Sequence, residues 1–232
     1  MMPSANVLRR ASFLATLLVL LVCPVMAGTV EQVVDLPVKV TDASGHPVER
    51  AIKLTIFRDG SRARAGFLVL NHGRSGDPEQ RRNAGRYRFA ANAAYFIGLG
   101  YAVFVPTRIG YGATGGPDVE DSGPCRAKSY STSLEAAAAQ TLAVIAYARA
   151  QPYIDADRGL LAGISVGGIT TIAAAAKSPP GVRGAINFAG GHGGDPKNHP
   201  AKPCRDDLLE AEFARFGATT RVPTLWLYSE ND

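Results

Sequence analysis

Gly159-Leu160-Leu161-Ala162-Gly163-Ile164-Ser165-Val166-Gly167-Gly168 decides how this chain folds. Leu160-Leu161-Ala162 is a continuous apolar run, as in a strand buried on both faces. The stretch 166–176, rich in Ala and Ile, reads as a helix. Between them stands a G-x-S-x-G sequence, weak as letters alone but informative in a strand–turn–helix setting. A turn this tight strains the serine backbone and pushes its hydroxyl clear of the sheet. Gly163 and Gly167 keep neighbouring side chains from colliding, and Gly168 adds room. The Val166 amide, at the start of the helix, can stabilise a developing negative charge. The bland alternative is an ordinary glycine-rich strand–helix connection.

Working outward, residues 30–41 and 51–58 read as two strands joined by a turn at 42–47. The alternation of Ile52, Leu54 and Ile56 with Lys53, Thr55 and Phe57 suits an antiparallel edge. From residue 65 the pattern changes to short apolar strands alternating with helices. Strands are expected at 66–70, 101–105, 159–163, 183–188 and 223–228, and helices at 78–99, 133–150, 166–176 and 206–216. Ala90, Ala94 and Ile97 mark one face of the first helix. The expected fold class is α/β, one domain with a mostly parallel sheet, helices on both faces and an antiparallel N-terminal margin.

Composition bounds the rest. Hydrophobic residues at 46% and charged residues at 19% are ordinary globular values, which excludes disorder and a disulfide-dense mini-scaffold. Residues 1–27 have the parts of a secretory signal: basic Arg9 and Arg10, an apolar run over 11–22, and small residues at Val25 and Ala27. That run rises about 18 Å as a helix, too little for a hydrocarbon core of about 30 Å. Removing the leader leaves about 205 residues, enough for a sizeable core, and lowers the net charge of +5 by two. No block of Lys/Arg suggests a nucleic-acid partner. A secreted or periplasmic protein without stable membrane insertion is expected, and Cys125 and Cys204 then read as one disulfide or as two free thiols. His192, His199 and Cys204 share a loop but lack metal-ligand spacing.

Several motifs together resemble the α/β-hydrolase family, in particular its dienelactone-hydrolase-like and prolyl-oligopeptidase-like branch, over about residues 50–232. Asn71-His72-Gly73-Arg74 is similar to the family's H-G-x oxyanion loop, which implies that the backbone N–H of Arg74 pairs with that of Val166. Thr107-Arg108-Ile109-Gly110-Tyr111-Gly112 is similar to its R-G-x-G loop, and Ile154-Asp155-Ala156-Asp157-Arg158 to its Asp-x-x-Arg turn. Residues 225–232 resemble the strand and loop that deliver the catalytic acid, which implies that Asp232 orients the histidine, with Glu230 in reserve.

The family order is Ser, then acid, then His, whereas His46, His72, His192 and His199 all precede Asp232. His46 reads as a solvated turn residue and His72 as part of the oxyanion loop. His192 or His199 would be the base only by an unusual order. The resemblance therefore implies that the domain stops short of the family's last strand and helix, with the histidine beyond Asp232. Gly110-Tyr111-Gly112-Ala113-Thr114-Gly115 satisfies G-x-G-x-x-G, but no helix opens directly after it as a dinucleotide site requires.

The resemblance implies an exported serine esterase acting on small or medium ester substrates through an acyl-enzyme on Ser165, with neither metal nor organic cofactor. Two rivals stand beside it: a serine peptidase of prolyl-oligopeptidase type, and a non-catalytic binding protein that keeps the fold.

Overall fold

The structure, a computed structural model, describes residues 28–193 and 202–230. The leader, His199 and Asp232 lie outside them. Among the described residues seven strands form one sheet: β1 (Thr29–Thr41), β2 (Pro47–Asp59), β3 (Ala65–Asn71), β4 (Tyr101–Thr107), β5 (Ile154–Ile164), β6 (Val182–Phe188) and β7 (Thr224–Leu227). Their order is β1-β2-β4-β3-β5-β6-β7. β3 to β7 run parallel, while β1 and β2 are antiparallel to each other and β2 to β4. This is the expected parallel sheet with its antiparallel margin. The β1–β2 turn is held by Asp42, whose carboxylate accepts from the amides of Ser44 (2.8 Å) and His46 (2.9 Å).

The helices are α1 (Pro78–Asn83), α2 (Ala90–Gly98), α3 (Tyr130–Arg149), α4 (Val166–Ala175) and α5 (Asp206–Thr219). Alternation along β3 distributes its side chains. Phe67 and Val69 enter the larger core beside Leu134, Val144, Ile169 and Phe216 of α3, α4 and α5. Leu68 and Leu70 enter a second core with Val103, Val105 and Ala93 of α2. All ten residues of α4 are buried, as expected of a helix apolar all round.

Three expectations are corrected. The single helix expected at 78–99 is two short ones. Gly85 (φ 68°) and Phe89 (φ 51°) take left-handed backbone in the gap, where the Tyr87 ring stacks on His72 at 3.8 Å. The buried side of α2 is Ala93, with Phe96 and Ile97 partly covered, while Ala90 and Ala94 face solvent. Residues 154–158 belong to β5 rather than to a turn.

Cys125, in a short 3-10 turn (Cys125–Ala127), is bridged to Cys204 just before α5. The disulfide reading of the pair holds. At the far edge, Leu225, Trp226, Leu227 and Tyr228 are all exposed. No helix among the described residues is long and apolar enough to cross a membrane.

Candidate functional site

Ser165 stands between β5 and α4 with φ 55° and ψ −128°, a conformation that side-chain-bearing residues rarely adopt. Backbone bonds hold it there. Its N–H donates to Phe188 O (3.0 Å), and its carbonyl accepts from Gly168 N (2.8 Å), Ile169 N (3.3 Å) and Gly191 N (3.3 Å). The flanking glycines are required by close approach. A Cβ at Gly163 would stand 2.1 Å from Gly167 O, and one at Gly167 would stand 2.4 Å from the carbonyl oxygens of both Asn71 and His72. The end of β3 is thereby pressed against the start of α4.

That pressing brings the 72–77 loop to the serine. A Cβ on Gly73 would lie 3.7 Å from Ser165 Oγ. The next residue is Arg74, whose amide, like that of Val166, has no acceptor among the described residues. The Val166 amide is at the first position of α4, where N–H groups have no intrahelical partner and the helix presents partial positive charge. The two amides named from sequence thus belong to the two segments that meet at Ser165.

His72 is fully buried. Its Nδ1 lies 2.7 Å from Gly73 O and its Nε2 accepts from the Arg108 amide at 3.2 Å. The two contacts fix one neutral tautomer, protonated at Nδ1. Burial, and then the nearby Arg108 charge, hold its pKa well below the ordinary histidine value. Both nitrogens are occupied in shaping the loop.

Its protonation gives a testable sign. The unfolded chain takes up the His72 proton near pH 6.5, the native chain only at lower pH. The stability contributed by neutral His72 is therefore present above about pH 6.5 and lost as pH falls below it. His72→Gln should lower the melting temperature at neutral pH but flatten its decline between about pH 7 and 5. Parallel melting curves for the two proteins would show that His72 does not titrate as its surroundings dictate.

Beneath the loop lies a polar network whose acidic members sequence reading did not single out. Arg108 is buried against Glu120 (Nε–Oε1 2.6 Å) and donates to His72 O (2.9 Å). Tyr111 donates to Glu120 Oε2 (2.7 Å), and Gln140 binds the Ile109 amide (2.8 Å). Asp118 accepts from Arg74 and Arg81. Asn71 donates to Thr171 and accepts from Thr141, which joins β3 to α4 and α3. The only sequence signal for this network was a cluster of carboxylates (Asp118, Glu120, Asp121) after a glycine-rich loop. That loop closes on itself, with Gly110 N bonded to Gly115 O (2.8 Å), and the next α-helix begins only at Tyr130.

The remaining candidates are dispersed. His46 sits in the exposed hairpin turn. His192 packs its ring 5.0 Å from that of Tyr130, and burial, then Lys128 and Arg74, push its pKa down to about 4. Glu230 follows β7. Two surface hollows of about 220 and 490 Å³ flank the disulfide region and do not include Ser165.

No protein-family model matches the chain, and no curated protein matches it. Solved structures do. Acetyl xylan esterase from Paenibacillus sp. R4 superposes with a TM-score of 0.53 at 14% identity, covering 86% of this chain and 72% of that one. Acetyl xylan esterase 1 from Thermoanaerobacterium sp. JW/SL YS485 gives 0.51 at 14%, covering 85% and 71%. Pyrococcus horikoshii acylaminoacyl peptidase gives 0.53 at 15%, covering 87% of this chain and 32% of the peptidase. The fold is that of the α/β-hydrolases.

Proposed function

We propose that this protein is an exported serine hydrolase that cleaves carboxylic esters of small or medium substrates through an acyl-enzyme on Ser165. The observation that carries the reading is the positive-φ backbone of Ser165 at the start of a fully buried helix, beside a loop whose Arg74 amide has no acceptor among the described residues. Strain of this kind persists only where surrounding structure enforces it, and it gathers at functional sites.

In the proposed mechanism, Ser165 Oγ attacks the ester carbonyl as a histidine takes its proton. The oxyanion is held by the amides of Val166 and Arg74, the alkoxide leaves with that proton, and water then releases the acid. His72 is not that base, since both its nitrogens are committed. The reading takes the base, and Asp232 to orient it, from outside the described residues. The cysteine bridge and the sequence of the leader support export.

A peptidase is the second reading, favoured by a likeness to the acylaminoacyl peptidase equal to that to the esterase. The test is fluorophosphonate labelling of the full-length protein, with turnover of p-nitrophenyl acetate and of a peptide p-nitroanilide. Labelling and ester turnover should both vanish in Ser165→Ala. Undiminished labelling in that variant, or no labelling of folded wild-type protein, would overturn the reading. Faster turnover of the anilide would favour the peptidase.

A further inference from the structure

The 72–77 loop has no regular secondary structure, yet the proposed chemistry needs its Arg74 amide fixed in place. Two side chains reach into it from opposite ends. Arg74 places its own guanidinium on Asp118 (Nη1–Oδ1 2.8 Å, Nη2–Oδ2 2.5 Å) and the Tyr111 hydroxyl (3.0 Å). Arg81, at the other end, donates to the carbonyls of Ser75 (2.8 Å) and Gly76 (3.1 Å) and to Asp118 Oδ2 (2.9 Å). Both arginines thus converge on one carboxylate. Both guanidiniums are nearly buried, and one Asp118 oxygen accepts from both. Their like charges are therefore close neighbours, and Asp118 supplies an opposite charge to both.

Asp118 is itself rigidly placed. A Cβ at Gly110 (φ 89°) would lie 2.9 Å from Pro117 O and 3.1 Å from Asp118 Cα, so the two limbs of this loop are in contact. Burial pushes the carboxyl's pKa up, but Arg74 and then Arg81 outweigh it and hold the group below the usual aspartate range.

We infer that Asp118 is a positioning residue: by gripping Arg74 and Arg81 together it fixes the Arg74 amide against Ser165. The inference rests on the serine-hydrolase reading above. Asparagine at this position would keep one acceptor oxygen but present N–H donors to guanidinium donors and leave both cations uncompensated. The loop would splay, and its amide would leave the place where the oxyanion develops. A small displacement of this kind costs up to about 100-fold in rate, and it acts on the transition state more than on the bound ester.

The experiment is steady-state kinetics on p-nitrophenyl acetate with Asp118→Asn, Asp118→Glu, Arg74→Lys, the double variant Asp118→Asn/Arg74→Lys, Asp121→Asn as a control for the same charge change, and Ser165→Ala. Asp118→Asn is expected to lower kcat about 10- to 100-fold with KM within about twofold. Asp118→Glu should recover part of the loss, and Asp121→Asn should match wild type. The double variant should be no slower than the slower single, because both lesions release the same loop. Multiplying effects in the double variant, an unchanged kcat in Asp118→Asn, or a loss expressed only in KM would overturn the inference. If Asp118→Asn does not fold, Asp118→Glu and Arg74→Lys must still show the kcat-specific loss. Ser165→Ala separates the two claims. Turnover surviving in Ser165→Ala removes the hydrolase reading, whereas an inactive Ser165→Ala beside a fully active Asp118→Asn removes the positioning role alone.

Discussion

Gly167→Ala is expected to leave no native protein to assay. The added Cβ would stand 2.4 Å from two backbone oxygens, those of Asn71 and His72, and 2.7 Å from the Asn71 carbonyl carbon. Backbone cannot swing aside as a flexible side chain can. β3 is hydrogen-bonded on both sides by β4 and β5, and α4 is buried along its whole length, so neither element has room to retreat. A loss above about 4 kcal/mol is the expected scale for a clash of this kind. Denaturant midpoints and soluble yield would measure it. Gly191→Ala serves as control, since nothing lies within 4 Å of a Cβ there. A Gly167→Ala protein melting with wild type would refute the close contact between α4 and the end of β3, and with it the geometry on which the serine reading rests.

The second large effect concerns Arg108. Its guanidinium and the Glu120 carboxylate are both essentially inaccessible to solvent. Arg108→Met removes one partner and strands the other charge in the interior, which costs about 3–5 kcal/mol. Replacing both ends by apolar residues removes that penalty. Arg108→Met/Glu120→Leu should therefore be more stable than Arg108→Met alone, despite carrying one more substitution. Urea unfolding of the three proteins decides it. If the double variant is the less stable, the ion pair is not what confines these residues.

Much of this architecture was readable before the structure. Runs such as Leu68-Val69-Leu70 announce strands covered on both faces, and the glycines around Ser165 announce a turn that only small residues fit. Two cysteines beyond the expected leader were enough to suggest a bridge. The polar network was not readable, because nothing in sequence pairs Arg74 with Asp118, 44 residues away, or Arg108 with Glu120. Such pairs are set by where the loops land once the sheet has formed. The break between α1 and α2 was missed for a related reason. The 78–99 stretch reads as one helix, but Tyr87 is drawn onto His72 and Arg86 onto Thr55 Oγ1 (2.8 Å), and those tertiary contacts outweigh local propensity. Of the candidate site, the meeting of the 72–77 loop with the Ser165 turn was legible. Asp118 was not, since it acts through groups that only the folded chain brings together.

The backbone of Ser165 also has a thermodynamic meaning. Backbone with this positive φ disfavours any side chain by about 1–3 kcal/mol relative to glycine. Stability alone would favour glycine at this turn, where glycine already stands at 163, 167 and 168. Serine stands there against its own conformational preference. Ser165→Gly is therefore expected to be at least as stable as the wild type while lacking the hydroxyl, which thermal melts of the two proteins would measure.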